Sequence, residues 1–197
     1  MLELVDLLSN TFSWRLGELE AELAAARTKV AELESKIETD PLLDILNRRG
    51  FERELKRAVA NAQRYQSRHA VVFIDLDDFK AINDRYGHLA GDTALRAVTE
   101  AISRKLRASD VVARFGGDEF AILLANLSEP NARAKAAAFE EVIASLEIHH
   151  SGESFSIRAS AGAAMLTDTD QPTDAISRAD ADMYSRKQGS HRRIAQG

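Results

Sequence analysis

The 197-residue sequence contains no cysteine. Disulfides, thiolate zinc sites and cysteine nucleophiles are therefore excluded, and the composition suits a reducing compartment. No apolar run reaches the roughly 18 residues that a membrane-spanning helix needs. The start, Met1-Leu2-Glu3-Leu4-Val5-Asp6, lacks the basic stretch of a secretory signal. The expectation is a cytoplasmic protein with no membrane segment in this chain. A surplus of positive charge is also missing: the formal net charge is −5. A general nucleic-acid or anionic-membrane binder would need a basic surface, so no nucleic-acid partner is expected.

What is present is ordinary for a soluble globular protein, 45% hydrophobic and 29% charged. The length suits one packed domain plus an appendage. The appendage is residues 1–39. Leu16, Leu19, Leu23, Ala26, Val30, Leu33 and Ile37 recur at alternating spacings of three and four, a heptad seam. Phe12, Ser9, Val5 and Leu2 extend it backwards, and proline is absent until Pro41. So narrow a stripe predicts a parallel two-stranded coiled coil and hence a homodimer. The alternative is a lone amphipathic helix folded back on its own domain. An isolated helix is marginal unless its apolar face is buried, which favours the coiled coil.

Thr39-Asp40-Pro41 breaks the helix, and residues 40–197 form the second domain. Asn47 caps a predicted helix over 48–67. The run His69 to Asp75 is rich in β-branched and aromatic residues, as in a buried strand. Helical periodicity follows over 78–86 and 91–107. Val111 to Phe115 and Glu119 to Leu124 read as a hairpin turning through Gly116-Gly117. A helix is expected over 129–147, a strand over 155–166, a helix over 173–187 and a short closing strand over 193–195. The hairpin breaks any βαβ alternation. The expected fold is an α/β (α+β) sandwich on a mixed sheet with a central β-hairpin.

Two acidic clusters stand at strand ends: Asp75-Leu76-Asp77-Asp78, and Asp118-Glu119 at the Gly-Gly turn. Alternation puts Asp75 and Asp77 on one face and Leu76 on the other. Alone, either cluster reads equally well as a solvated acidic turn, since acidic turn residues are common. Together they supply a carboxylate from each of two strand ends, as a hard divalent ion shared with substrate phosphates requires. Asp78-Phe79-Lys80 opens a helix after the acidic strand end, where free N–H groups and the helix dipole favour an anion. Asn83 and Asp92 follow, offering an amide and a carboxylate able to read the N1–H, N2 amine and O6 of guanine, although Asn83 standing alone would read as a helix or turn cap.

These blocks resemble the GGDEF family of diguanylate cyclases. The resemblance spans about residues 40–192, through Asp40-Pro41-Leu42, Asn47-Arg48-Arg49-Gly50-Phe51, Asp75-Leu76-Asp77-Asp78-Phe79-Lys80 and Asn83-Asp84. It continues through Gly87-His88, Gly91-Asp92, Arg114-Phe115, Gly116-Gly117-Asp118-Glu119-Phe120, Ser160-Ala161-Gly162, Ala179-Asp180 and Tyr184. It implies a nucleotidyl-cyclase, palm-like fold. Asp75, Asp118 and the Leu76 carbonyl would hold Mg²⁺ (or Mn²⁺), two ions per active site, with Glu119 as second-metal ligand or helper in deprotonation. Backbone amides of Asp78, Phe79 and Lys80, with the Lys80 and Lys187 side chains, would hold the phosphates of GTP. Asn83 and Asp92 would read guanine between Leu42 and Leu95. Gly116 and Gly117, lacking Cβ, would let the turn approach the nucleotide.

The activity so implied is condensation of two GTP into cyclic di-GMP and two pyrophosphates, by a dimer holding one GTP per subunit. Arg107-Ala108-Ser109-Asp110 matches the family's R-x-x-D product-inhibition site, with Arg107 and Asp110 as its poles; the alternative is an Arg–Asp surface pair closing a helix C-terminus. The following helix carries Arg133 and Lys135 only near its start. Two departures stand out. Leu43-Asp44 replace the usual Thr-Gly, and Asp tolerates positive φ better than most residues. His191 stands at the usual Arg of K-x-x-G-R, with Arg192 beside it. These departures keep an alternative open: a weak or inactive module that binds GTP or cyclic di-GMP as a signalling receptor.

Overall fold

The computed structural model describes residues 15, 18–23, 38–167 and 169–194. The chain divides into two compact units, Met1–Ile37 and Glu38–Gly197. In the first, the described residues are helical, and an Arg15–Glu18 pair at 2.9 Å spans one turn. Leu19 and Leu23, one turn apart, are half exposed at 50% and 51%. The rest of the heptad seam lies outside the described residues, as do Ala195 and the side chains of His191 and Arg192.

The second unit begins with β1 (Leu46–Asn47) and α1 (Arg48–Tyr65). Asn47 caps α1 by accepting a hydrogen bond from Gly50 N at 3.1 Å. Phe51, Leu55, Ala58, Val59 and Ala62 form its buried stripe, at the spacing of one helix face. Gln66, left-handed at φ 53°, ends it. β2 (His69–Asp77) is the long central strand, followed by α2 (Phe79–Tyr86) and α3 (His88–Ser103), which Gly87 separates at φ 86°. β3 (Val111–Arg114) and β4 (Glu119–Ala125) make the predicted hairpin. After α4 (Glu129–Ala144) come β5 (Ile148–His150), β6 (Glu153–Phe155), β7 (Arg158–Met165) and α5 (Pro172–Ile194).

Five strands form one sheet in the order β1-β3-β4-β2-β7, parallel between β1 and β3 and antiparallel elsewhere. Because β2 is covered on both faces, its residues alternate between two cores. Val72, Ile74 and Leu76 pack with Ile82, Leu95, Val98, Phe139 and Ile143 from α2, α3 and α4. Val71 and Phe73 pack on the other side with Phe51, Leu55, Ala175, Ala179 and Met183 from α1 and α5. The α+β sandwich on a mixed sheet is as the sequence predicts. Among the described residues, no helix is long and apolar enough to cross a membrane.

Three expectations need correction. The strand expected over 155–166 is two: β6 pairs only with β5, and β7 joins the main sheet. The helix expected over 91–107 begins at His88 and ends at Ser103. The closing strand is absent through Ile194, since α5 continues to that residue. Gly189 does not stop α5, because a glycine inside a helix costs only about 1 kcal/mol.

Candidate active site

The two acidic strand ends meet. Asp75 is directly opposite Glu119 in the β2–β4 ladder, and Leu76 N donates to the Asp118 carbonyl at 3.1 Å. Leu76 itself is buried, so its neighbours Asp75 and Asp77 face the α5 side together. The hairpin turn is held by Arg114. Its Nη2 donates to Gly117 O at 2.7 Å and its Nε to Gly116 O at 3.1 Å, while Nη1 lies 3.3 Å from Asp40 Oδ2. The other Asp40 oxygen, Oδ1, accepts from Leu42 N at 2.9 Å and Leu43 N at 3.0 Å. One carboxylate thus ties the Asp40–Leu43 turn to the acidic hairpin. Neither Asp40 nor Arg114 is a sequence-predicted site residue, although both lie inside recognised blocks.

A Cβ at Gly116 would stand 2.1 Å from Glu119 Oε2, so the glycine makes room for that carboxylate. At Gly117 a Cβ would meet nothing within 4 Å; this residue opens onto a cleft. Burial and the neighbouring Asp75, Asp118 and Asp180 carboxylates push Glu119 above the ordinary glutamate range, with Arg48 a partial offset. Such excess negative charge fits a hard divalent cation. Among the described residues no three acidic or histidine side chains form a ready-made cage. A magnesium ion held by one or two carboxylates and completed by phosphates and water needs none.

Lys187 reaches in from α5. Its Nζ lies 2.5 Å from Asp75 Oδ1 and 3.0 Å from Asp77 Oδ1. Burial alone would lower its pKa, but the hydrogen bonds and charges of the two aspartates raise it. Ser160 Oγ donates to the same Asp77 oxygen at 3.0 Å.

A cleft of about 400 Å³ opens beside the turn, lined by Phe79, Lys80, Asn83, Asp84, His88, Asp92, Leu95, Arg114, Gly117 and Asp118. The size is that of a small-molecule site. It gathers seven of the sequence-predicted residues on one wall set. Asn83 is seated on α3 by Gly91, where a Cβ would come within 2.0 Å of Asn83 Oδ1. Asp78 takes φ 55° and starts α2 without a side-chain cap, leaving the first amides of the helix for another acceptor. Asp78 and Lys187 line a neighbouring cleft, and Leu42 packs against the core. Asp44 adopts the left-handed φ of 52°.

Arg107 and Asp110 sit apart from these groups, on a separate cleft of about 490 Å³ shared with Asn126, Asn131 and Lys135. Asp110 is pinned: its oxygens accept from Arg107 N at 3.0 Å and Ala125 N at 3.2 Å. The Arg107 side chain is exposed. Lys135, with Nζ 4.0 Å from Asp110 Oδ2, brings a second cation that the sequence placed only near the helix start.

Fold and site together define an α+β domain with a composite acidic centre beside a polar cleft. Residues 37–193 match the family model described as "Diguanylate cyclase, GGDEF domain". The chain belongs to that family. It is 38% identical over 195 residues to the diguanylate cyclase TpbB of Pseudomonas aeruginosa, covering 96% of this chain and 44% of the relative. It is 35% identical over 174 residues to the probable diguanylate cyclase DgcE of Escherichia coli, covering 88% of this chain and 16% of the relative. The chain thus spans less than half the length of these relatives. Among solved structures, the coiled coil and GGDEF domain of DgcB from Caulobacter crescentus, in complex with c-di-GMP, superposes with a TM-score of 0.79. There the identity is 28%, over 90% of this chain and 95% of that one. The GGDEF domain of TpbB gives 0.72 at 41% identity, over 77% of this chain and 89% of that one.

Proposed function

We propose that this chain is a diguanylate cyclase, condensing two GTP into cyclic di-GMP with release of two pyrophosphates. The observation that carries the reading is the Asp75–Glu119 pairing, which sets the carboxylates of two strand ends beside a cleft holding Asn83 and Asp92. In that cleft, Asn83 and Asp92 read the guanine edge, with Leu95 as an apolar wall. Asp75, Asp118, Glu119 and the Leu76 carbonyl would hold Mg²⁺ (or Mn²⁺), two ions per site. Ions bound there would neutralise phosphate charge and favour the ionised 3′-hydroxyl.

The remaining work falls to the chain's own groups. Amides of Asp78, Phe79 and Lys80, with the Lys80 and Lys187 side chains, hold the triphosphate, which leaves its α-phosphorus facing the acidic turn. The 3′-oxygen of the facing GTP forms a bond to that phosphorus as the α–β P–O bond breaks. Pyrophosphate leaves, and Glu119 helps remove the hydroxyl proton. The second attack repeats this in reverse and closes the ring. Each subunit holds one GTP, so the two sites must face each other. Residues 1–39, as a parallel coiled coil, raise the effective concentration of the pair. Arg107 and Asp110 bind the product and slow the enzyme.

Incubating purified protein with GTP and Mg²⁺ tests the reading. Cyclic di-GMP is expected from the wild type and none from Asp118→Asn. A wild type that binds GTP but makes no product rejects the cyclase and leaves a receptor.

A further inference from the structure

Two further clefts share the Asp77–Asp78 step. One, of about 530 Å³, is lined in part by Asp77, Asp78, Arg158, Ser160, Arg186 and Lys187. The other, of about 460 Å³, is lined in part by Asp77, Asp78, Arg85, Tyr86 and Arg158. Asp77, Asp78 and Arg158 belong to both, so Arg158 stands where the two join. It opens β7 directly opposite Asp77 in the β2–β7 ladder. A carboxylate and a guanidinium placed as cross-strand partners usually pair. Here Asp77 Oδ1 is already used by Ser160 Oγ and Lys187 Nζ, both at 3.0 Å. Arg158 is exposed, and its guanidinium makes no hydrogen bond or ion pair among the described residues.

We propose that Arg158 is a polyphosphate-binding residue, taking the terminal phosphates of the bound nucleoside triphosphate and then the pyrophosphate that leaves. The assignment rests on the guanine-nucleotide reading above. Phe79 and Lys80 wall the guanine cleft, while Asp78, the residue before them, lines the two clefts of Arg158. A nucleotide with its base on Asn83 and Asp92 and its α-phosphate at Asp118 therefore extends its distal phosphates past Asp78 towards Arg158. The planar fork of a guanidinium matches two phosphate oxygens at once. Four carboxylates, Asp77, Asp78, Glu140 and Glu141, line the larger cleft beside Arg158, Arg186 and Lys187, and they keep it from becoming a general anion trap. A chain end carrying several negative charges competes with them; a monophosphate does not reach.

Calorimetric titration with guanosine α,β-methylenetriphosphate, whose α–β bridge resists cleavage, and separately with GMP, tests this in Mg²⁺ buffer. Arg158→Gln should weaken the triphosphate analogue about tenfold, the worth of one charge-assisted contact, with GMP affinity held within about twofold. Arg158→Lys should recover only part of the loss, because it restores the charge without the two-pronged fork. Unchanged analogue affinity in Arg158→Gln overturns the assignment, as does an equal loss for both ligands. A wild type that binds neither ligand overturns the nucleotide reading itself, and this assignment with it.

Discussion

Lys187 Nζ lies 2.5 Å from Asp75 Oδ1, so a cation from α5 neutralises the strand end that also faces Glu119. The same ammonium serves Asp77 at 3.0 Å. Lys187→Met should leave these carboxylates facing one another without it and lower stability by about 1 kcal/mol. Mg²⁺ should restore more of the melting temperature in the variant than in the wild type. An equal Mg²⁺ effect on both proteins would mean that Lys187 does not compete with Mg²⁺ for these carboxylates.

Gly91 seats the Asn83 amide against α3. Gly91→Ala brings a methyl within 2.0 Å of Asn83 Oδ1, a clash that displaces the amide. KM for GTP should rise about tenfold, because a misplaced hydrogen-bonding group costs roughly 1.5 kcal/mol. Turnover at saturating GTP should change little. A lower kcat at unchanged KM would show that Asn83 is not a binding group.

Arg107 is expected to sense product. In Arg107→Ala, cyclic di-GMP should accumulate beyond the concentration at which wild-type progress curves flatten. Progress curves that flatten at the same product concentration would show that Arg107 does not sense product. Lys135→Ala gives the companion measurement, because Lys135 lines the same cleft.

Asp170 gives a pH test of the fold, remote from the chemistry. Burial would raise its pKa, yet bonds from Arg178 at 2.9 and 2.7 Å and from Thr167 N and Oγ1 hold it at about 2. A carboxyl with a depressed pKa stabilises fully above its unfolded value near 3.9 and loses that contribution as pH falls towards about 2. Asp170→Asn should therefore cost about 2 kcal/mol in urea unfolding near neutral pH. The gap between variant and wild type should narrow near pH 3. A constant gap would place the stabilisation elsewhere.

Much of this molecule is legible in residues 69–125. The β-branched run of β2 and the Gly-Gly hairpin carry strong local signals, and both appear in the structure. The small β5–β6 sheet does not, because its strands are three residues each and largely polar. Its one marker is Ser151-Gly152, both at positive φ (51° and 86°), a two-residue hairpin turn. β1 is shorter still, two residues paired parallel to β3, and no sequence period can mark it.

The site divides the same way. Asn83, Asp92, Lys80 and Asp118 converge on one cleft as their motifs suggest. The Asp40–Arg114 clasp joins residues 74 positions apart, and spacing alone cannot reveal such a pair. Arg158 belongs to no acidic or glycine-rich run; only the β2–β7 register places it beside Asp77. Asp44 stands at φ 52°, a region that aspartate enters more readily than most residues.

Closure of a cyclic dinucleotide from two GTP at the acidic hairpin, as proposed, fixes a product stoichiometry. The most direct measurement is a single time course with GTP and Mg²⁺ in which pyrophosphate, cyclic di-GMP, GDP and orthophosphate are all quantified. Two pyrophosphates are expected for each cyclic di-GMP, with no GDP and no orthophosphate. GDP and orthophosphate in equal amounts, without cyclic product, would contradict the proposed closure.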